Sequence, residues 1–183
     1  MQKNAPDHGT MIYLGGALLA LAVLSTSLVA ADPALKVGAR APEFTGHDAQ
    51  GKEWKLSEHL RRGAVLLYFY PKDNTPGCTR QACGLRDRMG DLQKAGVTVV
   101  GISFDSAESH QKFIAEHQLN FTLLADPAGK IADLYGARIP GQNMARRVSF
   151  LIGPDGVIRH LTDTPKAETH LEEMTAAVRA LKK

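Results

Sequence analysis

From Ala64 to Tyr70 the chain is an unbroken apolar run, AVLLYFY, and Val97 to Phe104, VTVVGISF, is a second. Neither alternates polar and apolar residues, so each predicts a strand covered on both faces. Between them Cys78, Ala82, Leu85, Met89 and Leu92 recur at helical spacing. This predicts a helix over 75–95 with one face against the sheet, stopped by Gly96. Asp105 with Glu108 has the form of a capping box and opens a helix to about Gln118. The pattern continues with a short strand over Phe121–Ala125, a short helix over Lys130–Tyr135 and a Pro/Gly loop over Ile139–Asn143. Arg147–Ile152 and Val157–Leu161 then predict a hairpin across Gly153-Pro154-Asp155-Gly156, and a last helix runs from about Lys166 to Leu181. Strand–helix alternation ending in a hairpin and a helix predicts an α/β fold, a central mixed sheet flanked by helices. No internal repeat or linker divides it, which gives one domain over 32–183.

The first 31 residues stand apart from this pattern. No charged residue lies between Gly9 and Ala31, Met11 to Leu24 is strongly apolar, and Val29-Ala30-Ala31 places small residues where a signal peptidase cuts. Residues 1–31 therefore read as a secretory signal peptide cut after Ala31, or as a retained N-terminal membrane anchor. Lys3 is a weak basic start, and Asp7 offsets it. Either reading exports the domain. In a bacterium that means the periplasm, where thiols need a dedicated reductant.

Hydrophobic residues make up 44% of the chain, enough for one buried core, and the net charge is only +3. Lys and Arg are scattered among Asp and Glu, without the basic stripe and aromatic platforms that nucleic-acid binding needs. The histidines at 47, 59, 110, 117, 160 and 170 read as surface or satisfied core residues, and Trp54 as packing for the N-terminal region. Chemistry concentrates on the two cysteines, Cys78 and Cys83. In an exported protein a cysteine pair most often forms a structural disulfide. A C-x4-C spacing without a histidine cluster is not that of a zinc site. The setting of Cys78 argues for reactivity instead. Thr75 is a good N-cap and Pro76 suits the first helical position. Cys78 then falls in the first turn, among free backbone N–H groups at the positive end of the helix dipole. That environment favours the thiolate, the nucleophilic form of the side chain.

Pro71, Thr75 and Cys78 match the pattern P-x-x-x-T-x-x-C. With TPGCTRQACGLRD over 75–87, GARAPEF over 38–44, GISFDS over 101–106 and RVSFLIGPDG over 147–156, the chain resembles the peroxiredoxins. The resemblance is to the bacterioferritin comigratory protein, or peroxiredoxin Q, branch, and it covers about residues 36 to 182. It implies a thioredoxin-like fold and reduction of hydrogen peroxide or organic hydroperoxides. It makes Cys78 the peroxidatic cysteine, oxidised to a sulfenic acid. Thr75 holds the peroxide, Arg147 supports thiolate and substrate, Pro71 shields the site and Gln81 orients the arginine. Arg146, adjacent on a strand, points elsewhere.

By the same resemblance Cys83 is the resolving cysteine, which forms an intramolecular disulfide with Cys78. On an intact helix two residues five apart have Cα atoms about 8.6 Å apart, whereas a disulfide rarely tolerates more than about 7 Å. The first turns of the helix must therefore unwind, which Gly77 and Gly84 make easier. No tightly bound cofactor or metal is expected, since peroxide oxidises sulfur directly. The implied partners are a peroxide and a thioredoxin-like or glutaredoxin-like reductant. Resolution within one chain suits a monomer, and Ile139–Asn143 suits the substrate entrance. Two other readings stay open: a thiol-disulfide exchange protein, against which the lack of C-x-x-C counts, and a redox sensor without turnover.

Overall fold

The two apolar runs become neighbouring parallel strands at the centre of a seven-stranded sheet, in a computed structural model that describes residues 1–2 and 35–181. β1 (Thr45–Asp48), β2 (Glu53–Lys55) and α1 (Leu56–Leu60) come first, followed by β3 (Ala64–Phe69), α2 (Pro76–Lys94) and β4 (Val97–Ser103). Then come α3 (Ala107–His117), β5 (Thr122–Ala125), α4 (Lys130–Leu134), β6 (Val148–Ile152), β7 (Ile158–Asp163) and α5 (Ala167–Ala180). The sheet order is β2-β1-β5-β4-β3-β6-β7, with β3, β4 and β5 parallel and the other pairings antiparallel. This is the mixed sheet flanked by helices that the alternation predicts.

Every residue of β3 is buried, and its alternating side chains serve two cores. Leu66 and Tyr68 join Cys78, Ala82, Leu85 and Met89 of α2, Phe113 of α3, and Met174 and Val178 of α5. Val65, Leu67 and Phe69 face the opposite layer, with Leu56 and Leu60 of α1 and Ile131 of α4. The N-terminal hairpin β1–β2 and α1 are not signalled by the sequence pattern, because strands this short at a sheet edge carry too little alternation. Trp54 holds them. It stacks on Phe44 at 5.4 Å and on His59 at 4.3 Å.

The helix cap at α3 differs from expectation. Ser106, not Asp105, is the N-cap, its hydroxyl accepting from the Ser109 amide at 3.2 Å. Asp105 lies one residue too early and is committed elsewhere. Its Oδ2 accepts from the Ser103 hydroxyl at 2.7 Å and the Asp73 amide at 3.0 Å. The hairpin turns where expected, and β7 continues to Asp163, past the anticipated Leu161. The leader or anchor expected over residues 1–31 falls, beyond Gln2, outside the described residues. Among the described residues no helix is long and apolar enough to cross a membrane.

Tyr68 pairs in register with Gly101 of β4, and its ring crosses the space where a side chain would stand. A Cβ at Gly101 would meet Tyr68 Cζ, Tyr68 Oη and Leu123 Cδ2, each at 2.7 Å. Gly101→Ala is therefore expected to destabilise the fold by about 1–3 kcal/mol through overpacking. Urea unfolding checks this, and an unchanged midpoint would contradict it.

Candidate active site

Cys78 sits where a strand, a loop and a helix meet. β3 delivers the chain to Tyr70 at the C-terminal edge of the parallel strands, and α2 begins at Pro76 with Thr75 at the N-cap. The first helical bond closes from the Thr79 amide to the Thr75 carbonyl at 2.8 Å, which leaves the amides of Gly77 and Cys78 ahead of it. Thr75 occupies the cap position, but its side chain does not cap. The hydroxyl donates instead to the Lys72 carbonyl at 3.0 Å, closing the loop on itself.

Arg147 arrives from the other end of the sequence through the sheet. β6 lies antiparallel to β3, with Phe69 opposite Val148. Arg147 is therefore just beyond the end of β3, beside the Tyr70–Pro71 backbone. Arg147 is buried, 7% exposed. Nη2 donates to Cys78 Sγ at 3.3 Å, Nη1 to Gln81 Oε1, and Nε to the Pro165 carbonyl at 3.1 Å. Gly77 leaves the room for this approach, since a Cβ there would lie 3.1 Å from Arg147 Nη2. Among the described residues these acceptors are an amide, a carbonyl and a sulfur, with no carboxylate among them. The guanidinium charge is thus left for sulfur and for whatever binds beside it. Arg146 is committed to other partners. It donates to the Gly136 carbonyl and pairs with Asp163.

Pro71, Arg147 and Pro165 line an open pocket of about 290 Å³ together with Ile139, Arg146 and Thr164. Of the loop expected at the entrance, Ile139 reaches it. Arg147 thus joins Cys78 to Gln81 and shares a pocket with Pro71, while Thr75 stands at the N-cap three residues before Cys78. Cys83 stands apart from these contacts. It is half-buried on the unbroken α2, and both sulfurs are free.

The sequence profile of the AhpC/TSA family matches residues 37–161. The chain is 44% identical over 142 residues to peroxiredoxin Bcp of Escherichia coli K12, covering 74% of this chain and 90% of that one. It is 38% identical over 153 residues to the chloroplastic peroxiredoxin Q of Sedum lineare, covering 79% and 78%. The chain belongs to the AhpC/TSA family of peroxiredoxins. Among solved structures, peroxidoxin BcpB of Mycobacterium tuberculosis superposes with a TM-score of 0.77 at 29% identity, covering 81% of this chain and 99% of that one. The bacterioferritin comigratory protein of Xanthomonas campestris gives 0.70 at 27% identity, covering 76% and 92%. The thioredoxin-like fold and the activity class implied by the motifs therefore stand: this peroxiredoxin is a thiol-dependent peroxidase.

Two histidines near the peroxiredoxin site, His110 and His170, are satisfied core residues, one of the two readings the sequence allows. His110 joins a network around Asp73, taken up below. His170 of α5 is buried. Its Nδ1 meets the Ser149 hydroxyl at 2.8 Å and its Nε2 donates to the Thr164 carbonyl at 2.8 Å. With Nδ1 accepting from Ser149, the ring is neutral. Burial pushes its pKa below the usual histidine value, and the nearby Arg147 charge adds to this. A depressed histidine pKa means that the unfolded chain takes up a proton first. Stability is then retained above about pH 6.5 and falls as pH drops through that value toward the folded pKa, by at most ~1.4 kcal/mol per pH unit. Unfolding free energies measured between pH 7.5 and 5 are expected to fall, and His170→Gln to flatten the slope. A slope unchanged in His170→Gln would remove this explanation.

Proposed function

We propose that Cys78 is the thiol oxidised by peroxide, that Arg147, Thr75 and Pro71 build the peroxide site, and that Cys83 resolves the product. The observation that carries this is the contact of Arg147 Nη2 with Cys78 Sγ at 3.3 Å, at the head of α2. A fixed guanidinium N–H stabilises negative charge on sulfur, and later on the departing oxygen. The Thr75 hydroxyl spends its proton on the Lys72 carbonyl, so its oxygen is left to accept the peroxide O–H. Sulfur attacks one peroxide oxygen, the O–O bond breaks, and hydroxide leaves and is protonated to water, giving the Cys78 sulfenic acid. The Cys83 thiol then displaces water from it and the Cys78–Cys83 disulfide forms. A thioredoxin-like or glutaredoxin-like dithiol returns both thiols by exchange and is itself oxidised.

Substrates are hydrogen peroxide and organic hydroperoxides. The Xanthomonas campestris relative, whose structural description names alkyl peroxide reduction, supports the second class. The uncharged stretch over 9–31 supports export, with the enzyme working as a monomer in an oxidising compartment. Cys83→Ser tests the cycle. With peroxide alone it is expected to stop at a sulfenic acid on Cys78 that a thiol probe captures, and to lose turnover with a dithiol protein reductant by about 100-fold or more. Turnover at the parental rate would contradict the resolving role.

A further inference from the structure

The loop that leads to Cys78 is tied down at a point that the peroxide chemistry does not use. Asp73 is buried, and its carboxylate accepts three hydrogen bonds. The Tyr70 hydroxyl donates to Oδ1 at 2.7 Å, and the Ser109 hydroxyl and His110 Nδ1 donate to Oδ2 at 2.7 and 2.8 Å. Burial alone would raise the Asp73 pKa, but the bonds from His110, Tyr70 and Ser109 outweigh it and hold the carboxyl below its usual value. His110 is 0% exposed and turns Nε2 to the Leu124 carbonyl at 3.2 Å. Its two ring nitrogens are thus held between a buried carboxylate and a main-chain carbonyl, which fixes the ring in place.

A buried polar pair of this kind adds little net stability, because desolvation offsets the attraction, while either partner left unsatisfied is costly. What it provides is a fixed position. The Asp73 amide is held by Asp105 at the end of β4. The next residue, Asn74, has φ 55, a left-handed conformation uncommon outside glycine. Its side chain bridges Glu116 Oε2 at 3.0 Å and His117 Nε2 at 2.9 Å. Loop 70–75 is thus clipped to β4 and α3, and none of these ties runs to α2, whose first turns must open for a Cys78–Cys83 bond to form.

We propose that the Asp73–His110 pair is a positioning element of the peroxidase: it fixes loop 70–75 so that Thr75 and Pro71 hold peroxide against Cys78. This rests on the reading of Cys78 and Thr75 given above. The test uses the full chain carrying Cys83→Ser as parent, so that Cys78 oxidation is read alone by rapid quench and mass. Asp73→Asn, His110→Gln and their combination are added. Each single change is expected to slow oxidation by hydrogen peroxide about 10–100-fold, as a small misplacement of a reacting group does, while alkylation by iodoacetamide, which uses no peroxide site, changes less than about threefold. The double variant is expected to be no slower than the slower single one, since either change already breaks the pair. Ser109→Ala, which removes one bond to Asp73 and little volume, is expected to cost about 2–5-fold with alkylation unchanged, and it decides the matter if a charge variant does not fold. Parental peroxide rates in Asp73→Asn or in Ser109→Ala, parallel losses in both reactions, or additive effects would overturn the proposal. A parent whose Cys78 is itself inert to peroxide would instead overturn the reading of the site on which the proposal rests.

Discussion

With serine at position 78, peroxide consumption is expected to fall to the uncatalysed background while the fold persists. A serine hydroxyl is not ionised near neutrality, and its oxygen has no counterpart to the sulfenic chemistry of sulfur. Cys78 is 2% exposed in a helix turn fixed by Thr75, Pro76 and the packing of Ala82 and Leu85, none of which depends on the sulfur. A smaller hydroxyl there can still accept from Arg147. Circular dichroism and thermal unfolding are therefore expected to stay close to the parent, and the loss to lie in chemistry alone. Residual catalysis in Cys78→Ser above background would mean that another group reacts with peroxide.

Arg147→Gln is expected to slow oxidation of Cys78 by about 10²–10³-fold, the cost of removing one preorganised donor from a developing charge. Its three donor directions are each occupied, by Cys78, Gln81 and Pro165. Arg147→Lys keeps the charge but cannot fill that fork, so it is expected to recover only part of the rate. Stopped-flow oxidation with hydrogen peroxide checks both variants. If Arg147→Lys oxidised as fast as the parent, charge rather than directed hydrogen bonding would be the operative feature.

The parts of this site that were legible in sequence are local. Thr75, Pro76 and Cys78 announce a helix start within four residues, and the apolar runs announce the strands that present it. Arg147 needed the family motif, because its approach to Cys78 across 69 positions is made by the antiparallel register of β6 on β3. The Asp73–His110 pair had neither help. It joins a loop residue to the buried face of α3 across 37 positions, and each residue alone reads as an ordinary polar side chain. The edge hairpin β1–β2 escaped for a related reason. Its stability comes from Trp54, Phe44 and pairing with β5 rather than from its own pattern. The cap at Ser106 shows how a one-residue shift in a polar run moves a hydrogen bond from Asp105 to its neighbour.

The most direct test is a single turnover. Fully reduced protein is mixed with one equivalent of hydrogen peroxide, quenched within seconds, and read for intact mass and free thiols. Loss of both thiols with the mass change of a Cys78–Cys83 disulfide is the predicted result. Survival of both thiols would contradict peroxide attack at Cys78 and leave thiol-disulfide exchange as the better description of this cysteine pair.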